Sequence, residues 1–430
     1  MNISTIQSFI SKEAFSGVLL FLATVLAVIV ANSSLGESYY ELWKMSVGFS
    51  LGELDIKMSL SHWINDALMA LFFLLVGLEI KREMLIGELS SLQKAAFPVV
   101  AAIGGMLIPA SIYIAINPDN PMGFGIPMAT DIAFALGILM LLGSRVNPSL
   151  KVFLVALAVV DDLGAIIVVA TVYTSEIHAS YFVYAGITYA LIWTLNIKGV
   201  RKLWPYLILG VALWYFVHAI GIHATIAGVL LAFAIPIGSR IDEREFIDSA
   251  RESITLFESH MDKIPALNHQ QIDELERINY NSIKVRSPLV RLEHILHGYS
   301  AFLIMPLFAF ANAGVIIDFS TMSEHLNIVL GVILGLLIGK PIGIFGLTYL
   351  ATKLKIVKKP DTITWSEIIA AGFLGGIGFT MSIFITQLAF ADASLIAAVK
   401  LAIFIASFIA ALIGVGLILR GANKKERAVG

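Results

Sequence analysis

The chain contains no cysteine and little charge: only 14% of its 430 residues are Asp, Glu, Lys or Arg. Without cysteine there is no disulfide, no iron–sulfur cluster, no thiolate zinc site and no cysteine nucleophile. The scarcity of charge accompanies 58% apolar residues, 26 Phe and a mean hydropathy of +0.86, outside the range of soluble globular domains. Such a core is made for lipid. The net charge is −2 and the basic residues gather in short loops, so nothing favours a nucleic-acid partner.

What the chain does have is twelve apolar runs, near 14–31, 59–80, 95–116, 123–142, 150–174, 180–197, 203–219, 221–237, 298–317, 327–351, 366–388 and 393–419. Each is long enough to be read as crossing a hydrocarbon core of about 30 Å. They predict an all-α polytopic membrane protein of about twelve transmembrane helices in a single domain, 1–430. The first run follows Lys12 and lacks a small-residue cleavage pattern, so it is expected to be retained, with no soluble domain before it.

Lys and Arg concentrate in alternate connections: Lys81, Arg82 and Lys94; Arg145 and Lys151; Lys198, Arg201 and Lys202; Lys353, Lys355, Lys358 and Lys359; Arg420, Lys424, Lys425 and Arg427. Basic loops stay in the cytoplasm, which puts both termini there. Between spans 1 and 2, an outer segment carries Glu37, Glu41, Lys44, Glu53, Asp55 and Lys57. Its stretch 45–58 alternates apolar and polar residues, with Gly48 and Gly52 as breakers, and reads as a short β-hairpin. A charged cytoplasmic segment, 240–286, separates spans 8 and 9 and opens with Arg240, Asp242, Glu243, Arg244 and Glu245. Phe246, Ile247, Ala250, Ile254 and Phe257, then Ile272, Leu275 and Ile278, recur at helical spacing, so the segment reads as two helices or a partly ordered linker. It contains no phosphate loop or metal-ligand spacing, and no cofactor is expected.

Against this background Asp131, Asp161, Asp162 and Lys340 fall near mid-depth of their spans. A charge there costs roughly 2.5 to 3.5 kcal/mol on insertion scales, and three acids outnumber one base, so ion or proton handling is favoured over a structural ion pair. Neighbouring helix positions point about 100° apart, so Asp161 and Asp162 cannot both face one partner; one can meet Asp131 and the other Lys340. In GFGIPMATDIAFALG, Pro127 interrupts span 4 just before Thr130 and Asp131. Span 11 has a counterpart in LGGIGFTMS, weakened by Gly375, Gly376 and Gly378, although such residues also serve close helix packing. Spans 3–5 and 10–12 thus form two triplets, each interrupted in its middle member, the pattern of inverted repeats with crossing broken helices. Carboxylates, the Thr130 hydroxyl and carbonyls freed by a helix break are oxygen ligands suited to a hard cation. A carboxylate there holds either a proton or a metal ion, which makes the two competitors.

The residues carry a resemblance over nearly the whole chain. NDALMALFFLLVGLEIKREML at 65–85, PMATDIAFALG at 127–137, LAVVDDLGAIIV at 157–168, GIHATIAG at 221–228, RLEHILH at 291–297, MPLFAFANAG at 305–314, IGKPIGI at 338–344 and GGIGFTMSIFI at 375–385 resemble the NhaA family of sodium/proton antiporters. The resemblance implies exchange of Na⁺ or Li⁺ for protons, with Asp161 and Asp162 binding cation and protons, Lys340 as charge partner, and Thr130 and Asp131 in the broken crossing. It implies pH regulation by a cytoplasmic cluster matched by Glu79, Arg82, Glu83, Glu293, His294 and His297. It further implies a bacterial inner membrane and a homodimer joined through the outer hairpin. The 240–286 segment is longer than the connection associated with the family.

Other readings stand beside these. Asp66, two turns from the outer end of span 2, suits an ion funnel or a snorkelling or capping role. Lys400 reads as snorkelling or structural, and His223, His294 and His297 as hydrogen-bonded structural histidines. A sodium-coupled symporter of a small organic anion is the alternative function. A channel and an intramembrane aspartyl protease are less favoured, the latter because its two acids would lie on facing helices rather than in VVDDLG.

Overall fold

In hydrocarbon a chain must satisfy its backbone hydrogen bonds within itself, and this one does so almost entirely as helix. A computed structural model describes residues 3–51, 54–174, 177–239, 241–260 and 266–429, without the side chains of 3–14, 49–51, 54–56 and 423–429. Arg240, Gly52 and Glu53 therefore lie outside the described residues, as do the side chains of Lys12, Asp55, Lys424, Lys425 and Arg427.

Among the described residues, seven helices are long and apolar enough to cross a membrane: Leu60–Ile86, Leu92–Ile116, Pro121–Leu141, Pro148–Val172, Pro288–Asn312, Leu326–Lys353 and Ala393–Ala422. The count rises to nine if each of two bent pairs is one span, Phe15–Ala31 with Gly36–Lys44 (111°) and Trp365–Gly375 with Phe379–Ala389 (46°). The remaining three predicted runs fall on Ala179–Ile197, Trp204–Ile220 and Thr225–Ala234. All twelve runs are thus on helices, though not all are full-length spans. Thr225–Ala234 has 10 residues and so rises only about 15 Å, because an apolar run also counts residues that leave the helix, here Ile235 in extended conformation. The chain is a multi-pass membrane protein.

Small residues bring the two predicted triplets together. Helix Leu92–Ile116 runs against Leu326–Lys353 where Gly104 meets Gly343, and a Cβ on either would collide with the other's carbonyl. Gly339 packs on Pro109, where a Cβ would lie 2.7 Å from the proline Cα. With no hydrophobic driving force between helices in lipid, this backbone contact is what holds the first members together.

The middle members break and meet. A 3₁₀ helix, Pro121–Met128, gives way to extended backbone at Ala129 and Asp131 before Ile132–Leu141 begins. Opposite it, Trp365–Gly375 ends before Gly376 and restarts as Phe379–Ala389. Asp131 N donates to Ile377 O at 2.7 Å and Ser382 Oγ to Ile126 O at 2.7 Å, stitching one break to the other. Phe379, the first residue after its break, has φ +25°, a conformation that costs an aromatic residue on the order of 1–3 kcal/mol; its ring is held between Phe134 and Phe404.

Two features lie outside the spans. Strands Ser46–Leu51 and Leu54–Ser59 pair antiparallel with Ser46 opposite Ser59; Gly48 continues its strand opposite Lys57, so it is not a breaker. Before them, helix Gly36–Lys44 gathers Tyr39, Tyr40 and Trp43 against Phe310, and Tyr39 Oη donates to Phe310 O at 2.5 Å. The charged segment forms a helical hairpin rather than a linker. Asp242 caps Glu243–Ser259, an Asn268–Gln271 capping box starts His269–Val285, and Arg277 to Glu252 (2.6 Å) and Asn281 to Ser249 (2.6 Å) tie the two helices.

Candidate functional site

Asp161 and Asp162 lie at the middle of helix Pro148–Val172, both buried. Their 100° separation gives them different partners, since only one can turn toward helix Leu326–Lys353. That one is Asp161. Lys340 Nζ donates to its Oδ2 at 2.5 Å and to Thr130 Oγ1 at 2.9 Å, and the Thr130 hydroxyl, 2.8 Å from the same Oδ2 and 2.9 Å from Gly375 O, shares its one proton between these acceptors. Lys340 is 0% exposed. A wide turn precedes it, with its N–H reaching back to Gly335 O, and such i→i+5 turns recur at functional sites.

The second oxygen of Asp161, Oδ1, is buried and accepts no hydrogen bond. Among the described residues none donates to the Asp162 carboxylate either, although the charges of Asp161, Glu79, Asp131 and Lys340 act on it. Two neighbouring carboxylates therefore keep unengaged oxygens in a water-poor interior. A buried anionic oxygen without a partner costs several kcal/mol, so the arrangement calls for a proton or a cation.

Asp131 is used differently. Its Oδ1 accepts from Phe134 N at 3.0 Å, capping Ile132–Leu141, while its Oδ2 accepts from Thr380 N at 3.1 Å and from the Thr380 hydroxyl, at the start of Phe379–Ala389. Two helix N-termini thus point their partial positive ends at one carboxylate. Both oxygens of Asp131 are thus engaged in joining the two breaks, unlike Oδ1 of Asp161.

Of the six predicted pH-sensing residues, the structure gathers Arg82, Glu83 and Glu293. Arg82 bridges Glu83 (Nη1 to Oε1, 2.8 Å) and Glu293 (Nε to Oε1, 2.9 Å), and Glu79 acts on it electrostatically. Glu79 lies close enough for its charge to act on Asp162 as well. His294 is exposed and has no hydrogen-bond or ion-pair partner among the described residues, whereas His297 is engaged.

Asp66 neither snorkels nor caps. It is buried and faces three imidazoles: His62 Nε2 at 3.1 Å, His218 Nδ1 at 3.3 Å and His223 Nε2 at 3.7 Å. His223 is thus part of a cluster, not an isolated histidine. His62 and His218 carry no mark in the sequence beyond the four-residue step from His62 to Asp66, which one helix turn brings together. Lys400 is also buried rather than snorkelling, 9% exposed and without a hydrogen-bond or ion-pair partner among the described residues. Lys81, in sequence a loop charge that orients the chain, closes its ammonium onto Phe233 O (2.7 Å) and Ile235 O (2.5 Å), at the C-terminal end of Thr225–Ala234.

A family model described as Na⁺/H⁺ antiporter 1 matches residues 7–418. The chain is 62% identical over 413 residues to Na(+)/H(+) antiporter NhaA 1 of Aliarcobacter butzleri (strain RM4018), covering 96% of each protein. It is 52% identical over 427 residues to Na(+)/H(+) antiporter NhaA of Wolinella succinogenes, covering 97% of this chain and 94% of that protein. The corresponding protein of Helicobacter pylori (strain HPAG1) is 51% identical over 418 residues, with 95% and 94% covered.

Proposed function

Because the chain belongs to the Na⁺/H⁺ antiporter 1 family, we propose that it exchanges Na⁺ or Li⁺ for protons at Asp161 and Asp162. The observation that carries this reading is the orphaned Oδ1 of Asp161 beside the undonated carboxylate of Asp162, both buried at mid-span. A hard cation takes oxygen ligands, and the two carboxylates with the Thr130 hydroxyl and the Gly375 carbonyl form such a set. A cation arriving from one side displaces protons from these oxygens, and protonation from the other side displaces the cation. Exchange follows when the site opens to the two sides in turn.

Lys340 holds the Asp161 carboxylate while the cation is absent. As cation binding draws Asp161 away, the ammonium loses its counter-charge and its proton becomes transferable. Asp131 is a positioning residue, keeping the two broken helices at the distance the site needs by neutralising both N-termini. The Arg82–Glu83–Glu293 cluster, with His294 and His297 on the same helix as Glu293, is the pH-responsive element, and Glu79 relays its charge state to Asp162. Asp66 belongs to the outer funnel for cations. The protein belongs to a bacterial inner membrane with both termini cytoplasmic, and it works as a homodimer through the hairpin 45–58, with the helical hairpin of 240–286 in the cytoplasm.

Proteoliposomes carrying an imposed pH gradient test the exchange. Na⁺ or Li⁺ should collapse the gradient in the parent, and Asp162→Asn should slow this at least a hundredfold while the melting temperature moves by no more than a few degrees. If no cation moves protons at any pH, antiport fails and sodium-coupled symport of an organic anion takes its place.

A further inference from the structure

We propose that His62, Asp66, His218 and His223 form a binding site for one borderline transition-metal cation such as Zn²⁺, separate from the buried Asp161–Asp162 pair. Three elements bring the side chains together. His62 and Asp66 are one turn apart at the start of helix Leu60–Ile86, in a stretch whose wide turn returns Met69 N–H to Ile64 O. His218 ends helix Trp204–Ile220, and Gly221, with φ +93° that only glycine adopts freely, reverses the chain so that His223 comes back to the same carboxylate.

The distances fit a metal polyhedron. Zinc–nitrogen and zinc–oxygen bonds of about 2.0–2.1 Å put neighbouring tetrahedral ligands about 3.3–3.4 Å apart. Asp66 Oδ2 lies 3.1 Å from His62 Nε2 and 3.3 Å from His218 Nδ1, and these three residues' donor atoms all fall within 4.8 Å of one another; His223 Nε2 stands outside that group, 3.7 Å from the other oxygen, Oδ1, where it can enter as a fourth ligand. Within the His62–Asp66–His218 group, gaps of up to 4.8 Å close to about 3.4 Å by side-chain rotation, for which the exposed His62 has room. The donor set, three imidazoles and one carboxylate, suits Zn²⁺, Ni²⁺ or Co²⁺ and is poor for Na⁺ or Mg²⁺, which prefer oxygen throughout.

The surroundings resemble those of a metal-ligating histidine. His223 Nδ1 bonds Thr225 Oγ1 at 2.8 Å, the outer-shell contact that turns its Nε2 toward Asp66. Trp214 stacks on His218 at 5.9 Å and Trp63 stacks on Trp214, fixing that ring. His62, with its side chain 47% exposed, leaves a route in, while Asp66 supplies a buried negative charge. Three imidazoles cannot all be protonated around one carboxylate without mutual repulsion. A divalent cation meets their lone pairs and the carboxylate together.

The inference does not depend on transport, and its test has no transport readout. Full-length protein, stripped with a chelator in detergent, is titrated with Co²⁺ while its visible absorption and tryptophan fluorescence are followed, and then with Zn²⁺ by calorimetry. The expected result is one equivalent of Co²⁺ giving ligand-field bands, quenching Trp214, and leaving when one equivalent of Zn²⁺ is added. His62→Ala and His218→Gln should each weaken binding at least tenfold while keeping the parent's elution volume and helix content. The proposal is overturned if the parent binds no stoichiometric metal, the cluster then being a histidine–aspartate hydrogen-bond network only. It is equally overturned if both variants bind as tightly as the parent, which puts the metal elsewhere.

Discussion

At the scale of single residues, the two adjacent aspartates differ in what their loss would do. Asp162 has no donor to disappoint, so its neutralisation touches function more than folding. Asp161 is the counter-charge of a lysine with no exposure at all, and removing one partner of a buried pair costs about 3–5 kcal/mol. Asp161→Asn should therefore lower the melting temperature and yield of folded protein sharply, and Asp161→Asn combined with Lys340→Met should recover most of that stability while remaining inactive. Thermal unfolding in detergent of the two single variants and the double variant checks this; equal losses in all three would count against the pair. The sequence showed that these charges lie at mid-depth, but not which acid takes the lysine, because that depends on how two helices are rotated about their axes. His62 and His218 went unread for a similar reason: a residue at the end of one helix and one on another become neighbours only in three dimensions.

At the scale of elements, the breaks were legible as Pro127 and the Gly375–Gly378 string, whereas the use of Asp131 at both restarted helices was not, since Thr380 is 249 positions away. The close seam between Leu92–Ile116 and Leu326–Lys353 was likewise hidden among ordinary glycines. Gly104→Val should push the two backbones apart and destabilise the protein by several kcal/mol, on the order of a badly overpacked core site. Gly186→Val, where a Cβ meets nothing within 4 Å, should be tolerated in the same thermal assay.

The short caps outside the membrane respond to acid. The Ser320 hydroxyl and amide hold the Asp318 carboxyl below its usual range, and the Ser394 amide and hydroxyl do the same for Asp392 at the head of Ala393–Val429. A depressed folded-state value means that the stabilisation is complete above the ordinary carboxylate pKa of about 3.9 and disappears as pH falls through the lower folded value. Hydrogen-exchange protection of both helix starts should drop below about pH 4, and Asp392→Asn should flatten that dependence at its own site alone.

At the scale of the whole molecule, the periodicity of apolar runs carried the helix count. It does not show where those helices stop, because Gly221 and the extended chain after Ala234 interrupt what composition reads as continuous. The hairpin was visible from strict alternation, and its free edges are a template for pairing with a second copy. Replacing residues 46–59 with a short Gly–Ser turn should convert the protein from two chains per particle to one by light scattering, with exchange per chain retained. A particle mass unchanged by the replacement would exclude the hairpin as the joint.

The helix Gly36–Lys44, turned 111° from the one before it, has a further consequence. Its Tyr39 and Trp43 are buried edge-on against Phe310, so the helix is fastened to the bundle by its aromatic face. The helix is therefore a bracket that ties the chain to the bundle just before the hairpin begins. Anything that pairs with the hairpin's edge is thereby coupled, through Phe310, to the bundle rather than to a free loop.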